Sequence, residues 1–489
     1  MPYEAGAEEF PKKLSAMKTL DRILLILLSS LVFFVTSCDK PVKKEVEPKN
    51  FPNVIILVVD ALRQSHLGCY GHSLDTSPQL DTYSAKGIRF QNAFCHSSHT
   101  KISTASLFSG LIPPSHGVRN AGNWKEELKG RVTSDVLSSE LFTIAELFEE
   151  NGYNTYGIIT NPHITTKSGF AQGFKLYRYL PGLTLGTWAS ADTVNQTAMD
   201  LLSKDREKPF FLYLHYLDVH EPYKPLPQYL ELFTLGIPKT QIISLNGPYA
   251  GKVSKDTVIY TERIYDAQIK YWDDQFKSFI TALKDQGYLK NTIVIITADH
   301  GEEFYDHGGF GHGYTCFDEM LRVPLVTVWQ NKIPEGLVVK DMVQQIDIYP
   351  SLAFLAGLDT KKITLQGRNI FSRSRDGKIL YAPPARSKLP LLYTETYRGR
   401  VPRCLRTDNL KVIYNLRDNS LGVFRLDIDP LEQKNIYSLE TSRLPEVATV
   451  VKKLKQIMNS PPLTKSPTPT IELDENTVKA LKSLGYLGD

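Results

Sequence analysis

The sequence has few cysteines and no strong excess of charge of either sign. Five Cys among 489 residues, with no CxxC pair, are too few for a disulfide scaffold and exclude a zinc knuckle or a thioredoxin-like site. Lys and Arg number 57 and Asp and Glu 53, for a net charge of +4. The body of the chain has no dense basic cluster, so no nucleic-acid partner is expected. The 42% hydrophobic and 22% charged residues are typical of a globular protein.

The N-terminal region has no apolar run as long as the 20 or so residues that a comfortable membrane span needs. Ile23 to Val35 is apolar, follows Lys18 and Arg22, and fits the hydrophobic region of a secretory signal. The run leads into VTSC, in which Cys38 resembles the lipidated cysteine of a bacterial lipoprotein signal. An uncleaved N-terminal anchor is the alternative. Both interpretations predict a protein of the bacterial cell envelope, held at a membrane and facing the periplasm or the exterior.

Changes in composition along the chain predict five segments. They are a signal peptide (1–37), a tether (38–50), a large α/β domain that carries the active site (51–340), a smaller C-terminal subdomain (341–460), and a Pro-rich linker with a C-terminal tail (461–489).

Three continuous apolar runs have the composition of buried parallel strands. They are Asn53 to Val59, Pro209 to Leu214 and Thr292 to Thr297, and each leads into Asp or His residues. Helical patterns lie between them, which predicts a doubly wound α/β sheet with its site at the carboxyl ends of the strands. Later in the chain, short strands predict a smaller antiparallel sheet: Leu391–Thr396, Lys411–Tyr414 and Gly422–Leu426.

Carboxylates and imidazoles stand where these strands end. Asp60 follows the first run, and Asp299 and His300 follow the third. His307 and His312 come next in a Gly-rich stretch where histidines have no obvious role in a core. Oxygen and nitrogen ligands that converge at strand ends are typical of a divalent metal site.

Seven stretches, in the same order, resemble the sulfatase family of the alkaline phosphatase superfamily. The resemblance runs from about Asn53 to Asn435. The stretches are NVIILVVDALR, TKISTASLFSGLIPPSHGV, FFLYLHYLDVHEPY, TADHGEEFYDHGGFGHGY, RVPL, IDIYPSLAFLAGL and FRLDIDPLEQKN. The resemblance implies the alkaline-phosphatase-like fold with a smaller C-terminal antiparallel-sheet subdomain, and hydrolysis of sulfuric or phosphoric esters.

The resemblance also implies a divalent metal. Asp60 resembles the first ligand of the family, and Asp299 and His300 resemble the later pair, with Thr100 beside them. The family's opening motif usually has two Asp in a row, but the second is Ala61 here, so one usual carboxylate ligand is missing. Zn²⁺, Mn²⁺ or Ca²⁺ could bind such a set, and the imidazoles favour Zn²⁺ over Ca²⁺.

The position of the nucleophile departs from the family's pattern. Sulfatases place a Cys or Ser there, in a C/S-x-P-x-R motif, and convert it to formylglycine. Counted back from Gly110, that position is Thr100, with Ile102 where Pro is usual and Thr104 where Arg is usual. Cys95 lies nearby but out of register. Neither residue satisfies the motif, so formylglycine is not expected.

A threonine nucleophile limits the chemistry that can follow. A formylglycine hydrate can expel sulfate through its second hydroxyl, whereas an ester on Thr100 must be cleared by attack at sulfur or phosphorus. Superfamily phosphodiesterases and phosphoethanolamine transferases use a metal-bound threonine in this way. In those transferases a His lies thirteen positions after the metal-binding Asp, as His312 does after Asp299. His312 therefore resembles a second-metal or phosphate-contact histidine, where sulfatases usually carry Lys.

Other candidate residues carry two interpretations each. His220 resembles the family's substrate-contact histidine and could bind ester oxygens or protonate the leaving group. Asp218 could ligate a second metal or orient His220. Lys101 could stabilise an anionic ester or be an exposed surface residue, and His307 could be a ligand or a solvated loop residue. Histidines near Thr100 are expected to have turn and packing roles: His96, His99 and His116.

The sequence thus predicts a metal-dependent ester hydrolase that acts through Thr100. The family resemblance favours sulfuric esters, and the threonine together with His312 favours phosphoric esters. A phosphoethanolamine-type phosphotransferase or a phosphodiesterase at the cell envelope is one alternative, and a non-catalytic protein that binds anionic glycans is another. The expected substrate is a small-molecule, glycan or lipid-headgroup ester, and the expected membrane contact is the lipid anchor.

Overall fold

The computed structural model describes residues 51–119, 132–182, 188–240, 247–248, 253–383, 391–484 and 486. These residues belong to one compact unit, which runs from Phe51 to Asp489. The predicted signal peptide and tether, including Cys38, lie outside the described residues. Within the described ranges, no helix combines the length and the apolar character that crossing a membrane requires.

The strands of the described residues are between two and eight residues long. In chain order they are β1 Asn53–Val59, β2 Ile88–Phe94, β3 Thr133–Asp135, β4 Asn154–Ile159, β5 Leu176–Tyr179, β6 Phe210–Tyr216, β7 Gly247–Pro248, β8 Thr292–Thr297, β9 Glu303–Phe304, β10 Gly309–Gly311, β11 Arg322–Val323, β12 Leu325–Val328, β13 Leu337–Gln344, β14 Phe371–Arg373, β15 Ile379–Tyr381, β16 Leu392–Glu395, β17 Pro402–Arg406, β18 Leu410–Asn415, β19 Leu421–Arg425 and β20 Thr470–Glu472.

The α-helices of the described residues alternate with these strands through the first part of the chain. They are α1 Pro78–Ser84, α2 Thr100–Ser109, α3 Pro113–His116, α4 Ile144–Glu150, α5 Ala191–Leu202, α6 Pro227–Thr234, α7 Lys255–Asp285, α8 Asp318–Leu321, α9 Ile348–Ala356, α10 Pro445–Met458 and α11 Glu475–Ser483. The Ser254 side chain caps the start of α7 by accepting a hydrogen bond from the backbone of Thr257.

A mixed sheet forms the centre of the molecule. In the described part of the chain its strand order is β11-β2-β12-β8-β1-β6-β4-β5, with β13 paired to β2. Strands β8, β1, β6, β4 and β5 run parallel to one another, and β12 runs antiparallel to β8 and β2. Every residue of β6 and β8 is buried, as expected of strands covered on both faces. The predicted doubly wound α/β architecture is confirmed.

The later part of the chain forms the predicted antiparallel sheet, in the order β16-β17-β18-β19. Its buried Lys411, on β18, lies 2.8 Å from Asp318 Oδ1 and 2.6 Å from Glu432 Oε1. Asp318 begins α8, which directly precedes two strands of the central sheet. This buried ion pair therefore links the small sheet to the central one. The tail also returns to the main body, because β20 pairs with β3.

Candidate active site

Three neighbouring strands bring carboxylate and imidazole side chains to one edge of the sheet. Asp60 directly follows β1, and Asp299 follows β8 by two residues. His215 lies within β6, where it pairs with Val58 of β1. Because β6, β1 and β8 are parallel neighbours, their carboxyl ends meet at the same place. The sequence prediction missed His215.

Thr100 is the first residue of α2, and its side chain faces this edge of the sheet. Its Oγ1 lies 3.3 Å from Asp60 Oδ2 and 3.3 Å from His300 Nε2. Ser103, in the first turn of the same helix, donates a 2.6 Å hydrogen bond to the backbone oxygen of Asp299. The helix is thus fastened to the end of β8, and four residues predicted to form a site lie together: Asp60, Thr100, Asp299 and His300.

The hydrogen bonds of His300 determine which of its nitrogens faces the site. Its Nδ1 lies 2.9 Å from the carbonyl oxygen of Gly301. A carbonyl can only accept, so Nδ1 carries the hydrogen. Burial lowers the pKa of His300, and the neutral ring therefore presents the Nε2 lone pair to the site. The Nε2 atom lies 3.5 Å from Asp60 Oδ1 and 3.6 Å from Asp299 Oδ2.

These acceptor atoms face one another without enough hydrogen-bond donors. Asp60 Oδ1 and Asp299 Oδ2 are fully buried, and neither has a hydrogen-bond partner among the described residues. Burial and then the charge of Asp299 raise the pKa of Asp60 well above its usual range. Such a cluster is costly unless a positive charge lies among its members.

The side-chain ligand atoms gathered here fit a divalent cation. Asp60, His215 and Asp299 each offer a ligand atom, and these atoms lie within 4.8 Å of one another. His215 Nε2 is 3.9 Å from Asp60 Oδ2 and 3.8 Å from Asp299 Oδ2. Two carboxylates, two imidazoles and a threonine hydroxyl, with no thiolate, are ligands that Zn²⁺ and Mn²⁺ accept. The hydrogen bond from His300 Nδ1 to a carbonyl is typical of a histidine held for a metal.

Ala61 occupies the position where the family usually has a second Asp. Its backbone has a positive φ of 58°, a conformation that is uncommon for a residue with a side chain. Its amide donates a 3.2 Å hydrogen bond to Asp299 Oδ1, and its carbonyl accepts a 2.7 Å bond from the Tyr265 hydroxyl. The backbone of Ala61 therefore helps to position the Asp299 carboxylate, although its side chain offers no ligand.

His312 and His220 form a second group beside the first. The Nε2 atoms of the two rings are 3.2 Å apart. His220 Nδ1 contacts the carbonyl oxygen of Glu221 and so must carry a hydrogen. Burial lowers the pKa of His220 to about 3 and that of His312 well below its usual range. In the neutral pair the hydrogen between the rings therefore belongs to His312 Nε2.

Glu302, which the sequence prediction missed, completes this group. Its Oε1 is 3.0 Å from His312 Nδ1, and its Oε2 accepts a 3.0 Å hydrogen bond from the Tyr223 hydroxyl. Burial and then the charge of Glu221 raise the pKa of Glu302 well above its usual range. A protonated Glu302 can donate to His312 Nδ1, which leaves the hydrogen on Nε2 for the site.

Two further residues in contact with Thr100 have no obvious signal in the sequence. Asn161 Nδ2 donates a 2.7 Å hydrogen bond to Asp60 Oδ2 and lies 3.4 Å from Thr100 Oγ1. The hydroxyl of Tyr486, in the C-terminal tail, is 3.1 Å from Thr100 Oγ1 and 2.8 Å from Asn161 Nδ2. His99, expected to have a turn role, caps α2 and also packs its ring against that of Tyr486.

Two further residues lie close to Thr100 in sequence, Lys101 and Cys95, and both are buried away from solvent. Lys101 is buried, not exposed, and its Nζ contacts Ser134 Oγ on β3. Burial lowers the pKa of Lys101 to about 7. Cys95 is also buried, and its thiol lies 3.1 Å from the carbonyl oxygen of Ser97. Burial raises the pKa of the Cys95 thiol, which makes it a poor nucleophile.

Asp218 and His307 have their own partners outside the group around Thr100. Asp218 Oδ1 accepts a 2.9 Å hydrogen bond from the backbone of Ala191, while both ring nitrogens of His220 have other partners. His307 pairs with Glu319 at 2.8 Å and stacks on the Phe317 ring. An orienting contact from Asp218 to His220 is thus not among the contacts seen.

Two solved structures superpose on this fold over most of the chain. A protein in complex with its substrate D-glucosamine-2-N,6-O-disulfate superposes with a TM-score of 0.68 at 19% identity, covering 85% of this chain and all of the other. The phosphonate monoester hydrolase of Agrobacterium radiobacter superposes with a TM-score of 0.66 at 20% identity, covering 83% and 95%. The alkaline-phosphatase-like fold expected from the sequence is confirmed.

The sequence relatives are sulfatases. An uncharacterized sulfatase of Escherichia coli K12 is 25% identical over 437 residues, covering 79% of this chain and 83% of the relative. Human iduronate 2-sulfatase is 25% identical over 393 residues, covering 63% and 69%. The N-acetylglucosamine-6-O-sulfatase of Bacteroides thetaiotaomicron is 21% identical over 541 aligned positions, covering 91% of each.

Fold, site and relatives together define a hydrolase of sulfuric or phosphoric esters. The family model for sulfatases matches residues 52–358, which is more than half of the chain. A second model, for the C-terminal part of N-sulphoglucosamine sulphohydrolase, matches residues 306–461. The chain belongs to the sulfatase family.

Proposed function

We propose that this sulfatase-family hydrolase acts through Thr100 on a phosphoric ester, with a divalent metal ion as its cofactor. The observation that carries the proposal is the Thr100 hydroxyl, which lies 3.3 Å from both Asp60 Oδ2 and His300 Nε2. These acceptors hold the hydroxyl at the edge of the sheet where charged groups converge. A single small nucleophile at such a position suits covalent catalysis.

The metal would be held by Asp60, Asp299 and His300, with His215 as a fourth candidate ligand. A divalent ion there would draw charge from the Thr100 oxygen and from the ester oxygens. Imidazole ligands favour Zn²⁺, with Mn²⁺ next and Ca²⁺ least suited.

In the first step the Thr100 hydroxyl loses its proton to Asp60 Oδ2, because His300 Nε2 would be occupied by the metal, and the Thr100 oxygen attacks phosphorus. A bond forms between Thr100 Oγ1 and phosphorus, and the bond from phosphorus to the leaving alcohol breaks. The alcohol oxygen takes a proton from His312 Nε2, and the protonated Glu302 replaces it by giving its own proton to His312 Nδ1. Asn161 Nδ2 can donate to an ester oxygen as negative charge builds up there.

In the second step water attacks the phosphoryl group on Thr100. The water gives one proton to His312 Nε2, and His312 Nδ1 returns its proton to Glu302. The bond between phosphorus and Oγ1 breaks, the proton held by Asp60 returns to Oγ1, and inorganic phosphate leaves. Attack by another alcohol instead of water would give phosphoryl transfer, which keeps a phosphoethanolamine-type transferase as the second candidate. Thr100 favours this route over sulfatase chemistry because it has no second hydroxyl with which to expel sulfate as formylglycine does.

Formylglycine chemistry is not proposed for this chain. Ile102 and Thr104 stand where the modification motif usually has Pro and Arg. Cys95, the nearest thiol in sequence, is buried and bonded to the carbonyl of Ser97. Thr100 is therefore proposed to act as encoded, without modification.

The proposed location is the bacterial cell envelope, with the active-site unit on the outer side of the inner membrane or beyond. Support comes from the sequence of the N-terminal segment, where an apolar run leads into VTSC and Cys38. Lipidation of Cys38 would place the enzyme next to envelope glycans and lipid headgroups, either of which could carry the ester.

A comparison of Thr100→Ala with Thr100→Ser tests the proposal. Purified proteins are assayed side by side on an aryl sulfate, a phosphate monoester and a phosphodiester, together with metal analysis. We expect Thr100→Ala to lose about 10⁴-fold or more in kcat and Thr100→Ser to retain part of the phosphoester activity. Thr104→Ala, in the same buried helix, is the matched control. Full activity in Thr100→Ala, or turnover of the sulfate alone, would overturn the proposal.

A further inference from the structure

The side chain of Tyr486, near the end of the chain, reaches the centre of the active site. Its hydroxyl lies 3.1 Å from Thr100 Oγ1 and 2.8 Å from Asn161 Nδ2. The residue is only 1% exposed. Its ring packs against four imidazoles, with centroid distances from 4.3 Å to 5.7 Å: His99, His163, His220 and His312.

Tyr486 fills the space that a substrate needs. In a productive complex the attacked atom lies about 3–3.5 Å from the nucleophile. The Tyr486 oxygen stands at that distance from Thr100 Oγ1, and it accepts a hydrogen bond from Asn161, the donor proposed for an ester oxygen. Thr100, Asp60 and His300 are all fully buried. An ester cannot reach Thr100 while the phenol is in place.

Among the described residues, the tail that carries Tyr486 is held to the body by a short strand pair, a salt bridge from Lys167 to Asp474 and a small apolar cluster. Strand β20 pairs with β3, and α11 follows. Behind the helix, a cluster separate from the main core contains Val132, Leu481, Leu484 and Tyr486. The Tyr486 amide donates a 2.9 Å hydrogen bond to the carbonyl of Leu481. A segment whose described apolar contacts form a cluster separate from the main core can open without unfolding the central sheet.

We propose that the C-terminal tail closes the active site, with Tyr486 in the place of the reacting ester group, and that substrate binds only after this residue has moved out. The phenol hydroxyl resembles the alcohol that ester cleavage releases, so the tail occupies the site as an internal product analogue. The closed state lowers the apparent affinity for substrate by the fraction of molecules that are open. The proposal uses the proposed function only for the role of Thr100.

The test compares Tyr486→Phe and Tyr486→Ala with the unaltered full-length chain. Titration calorimetry with inorganic phosphate measures access to the site without requiring turnover. We expect Tyr486→Phe, which loses only the two hydrogen bonds of the hydroxyl, to bind phosphate about tenfold more tightly. Tyr486→Ala, which also removes the ring, should bind more tightly still. Tyr437→Ala, at a 38% exposed tyrosine, is the control and should bind as the unaltered chain does.

Kinetics with a small aryl ester distinguish closure by the tail from a catalytic role of Tyr486. Closure by the tail predicts a lower KM with kcat maintained in both variants, whereas a tyrosine that acts on bound substrate predicts a lower kcat with KM maintained. Phosphate binding that is unchanged or weaker in Tyr486→Phe would overturn the proposal. Tighter phosphate binding in the Tyr486 variants, combined with full activity in Thr100→Ala, would retain the closing tail and reject Thr100 as the nucleophile.

Discussion

The substitution Asp60→Asn should affect the protein in opposite ways with and without a metal ion. Without a cation, Asp60 is a fully buried carboxyl whose pKa is raised well above its usual range by burial and by the charge of Asp299. Asparagine keeps the shape of the side chain and removes its charge. The metal-free variant should therefore be as stable as the metal-free parent, or more stable, because the repulsion from Asp299 has gone.

With a bound metal ion the order of stability should reverse, so that the parent is more stable than Asp60→Asn. An ion that binds only the folded state stabilises it by about 2.7 kcal/mol at a concentration 100 times its Kd. One kcal/mol shifts the Tm by about 2–4 °C in domains of 150–250 residues, and by less in longer ones. Because the folded unit of this protein is longer than those domains, Zn²⁺ should raise the Tm of the parent by about 3 °C. Asp60→Asn, which lacks a carboxylate ligand, should show a much smaller shift at the same concentration.

The protein is first stripped of metal with a chelator and then titrated with Zn²⁺, Mn²⁺ or Ca²⁺. At each step its thermal unfolding is monitored by circular dichroism. Asp359→Asn is the matched control, because the side chain of Asp359 is 70% exposed and lies outside the site. The control should respond to metal as the parent does. A parent that no ion stabilises, or an Asp60→Asn variant that gains as much stability from Zn²⁺ as the parent, would show that Asp60 is not a metal ligand.

Further predictions concern the buried ion pair and the membrane anchor. Lys411→Met leaves Asp318 and Glu432 buried without their lysine, so urea unfolding should show a loss of about 3–5 kcal/mol. Burial would raise the pKa of Asp318, but Lys411 and Arg406 hold it well below its usual range. Asp318 therefore adds stability above the pKa of about 3.9 of an unfolded aspartate, and acid titration should show that this stability is lost as the pH falls through the folded value. Cys38→Ala should move the protein from membrane to soluble fractions without changing its activity, and unchanged partition would rule out lipidation.

The sequence was sufficient to predict an element where its hydrophobic pattern matches its burial in the folded structure. The limits of β1 and β8 match the predicted runs, because continuous apolar strands are buried on both faces. Asp60, Asp299 and His300 were recognisable because each directly follows, or nearly follows, such a strand. Thr100 was recognisable by its place in a stretch that resembles the family, and the structure brings its hydroxyl to the same point.

The residues that were missed lack a local signal. His215 lies inside an apolar strand, and only its pairing with Val58 of β1 reveals that it faces the site. Asn161 follows β4 within a short turn that has an ordinary composition. Tyr486 lies 386 positions from Thr100 in sequence, so no periodicity or spacing could join the two. Pairing across the sheet and the return of the tail through β20 bring these groups together, and neither can be predicted from a single sequence.

Catalysis through Thr100 requires that its oxygen carry the phosphoryl group during turnover. The most direct measurement is the mass of the peptide that spans Thr100 after turnover of a slow phosphoester has been trapped by rapid acid quenching. Our prediction is a phosphoryl adduct on Thr100 in the unaltered chain and none in Thr100→Ala. An aldehyde at Cys95, or an adduct on another residue with Thr100 unmodified, would contradict it.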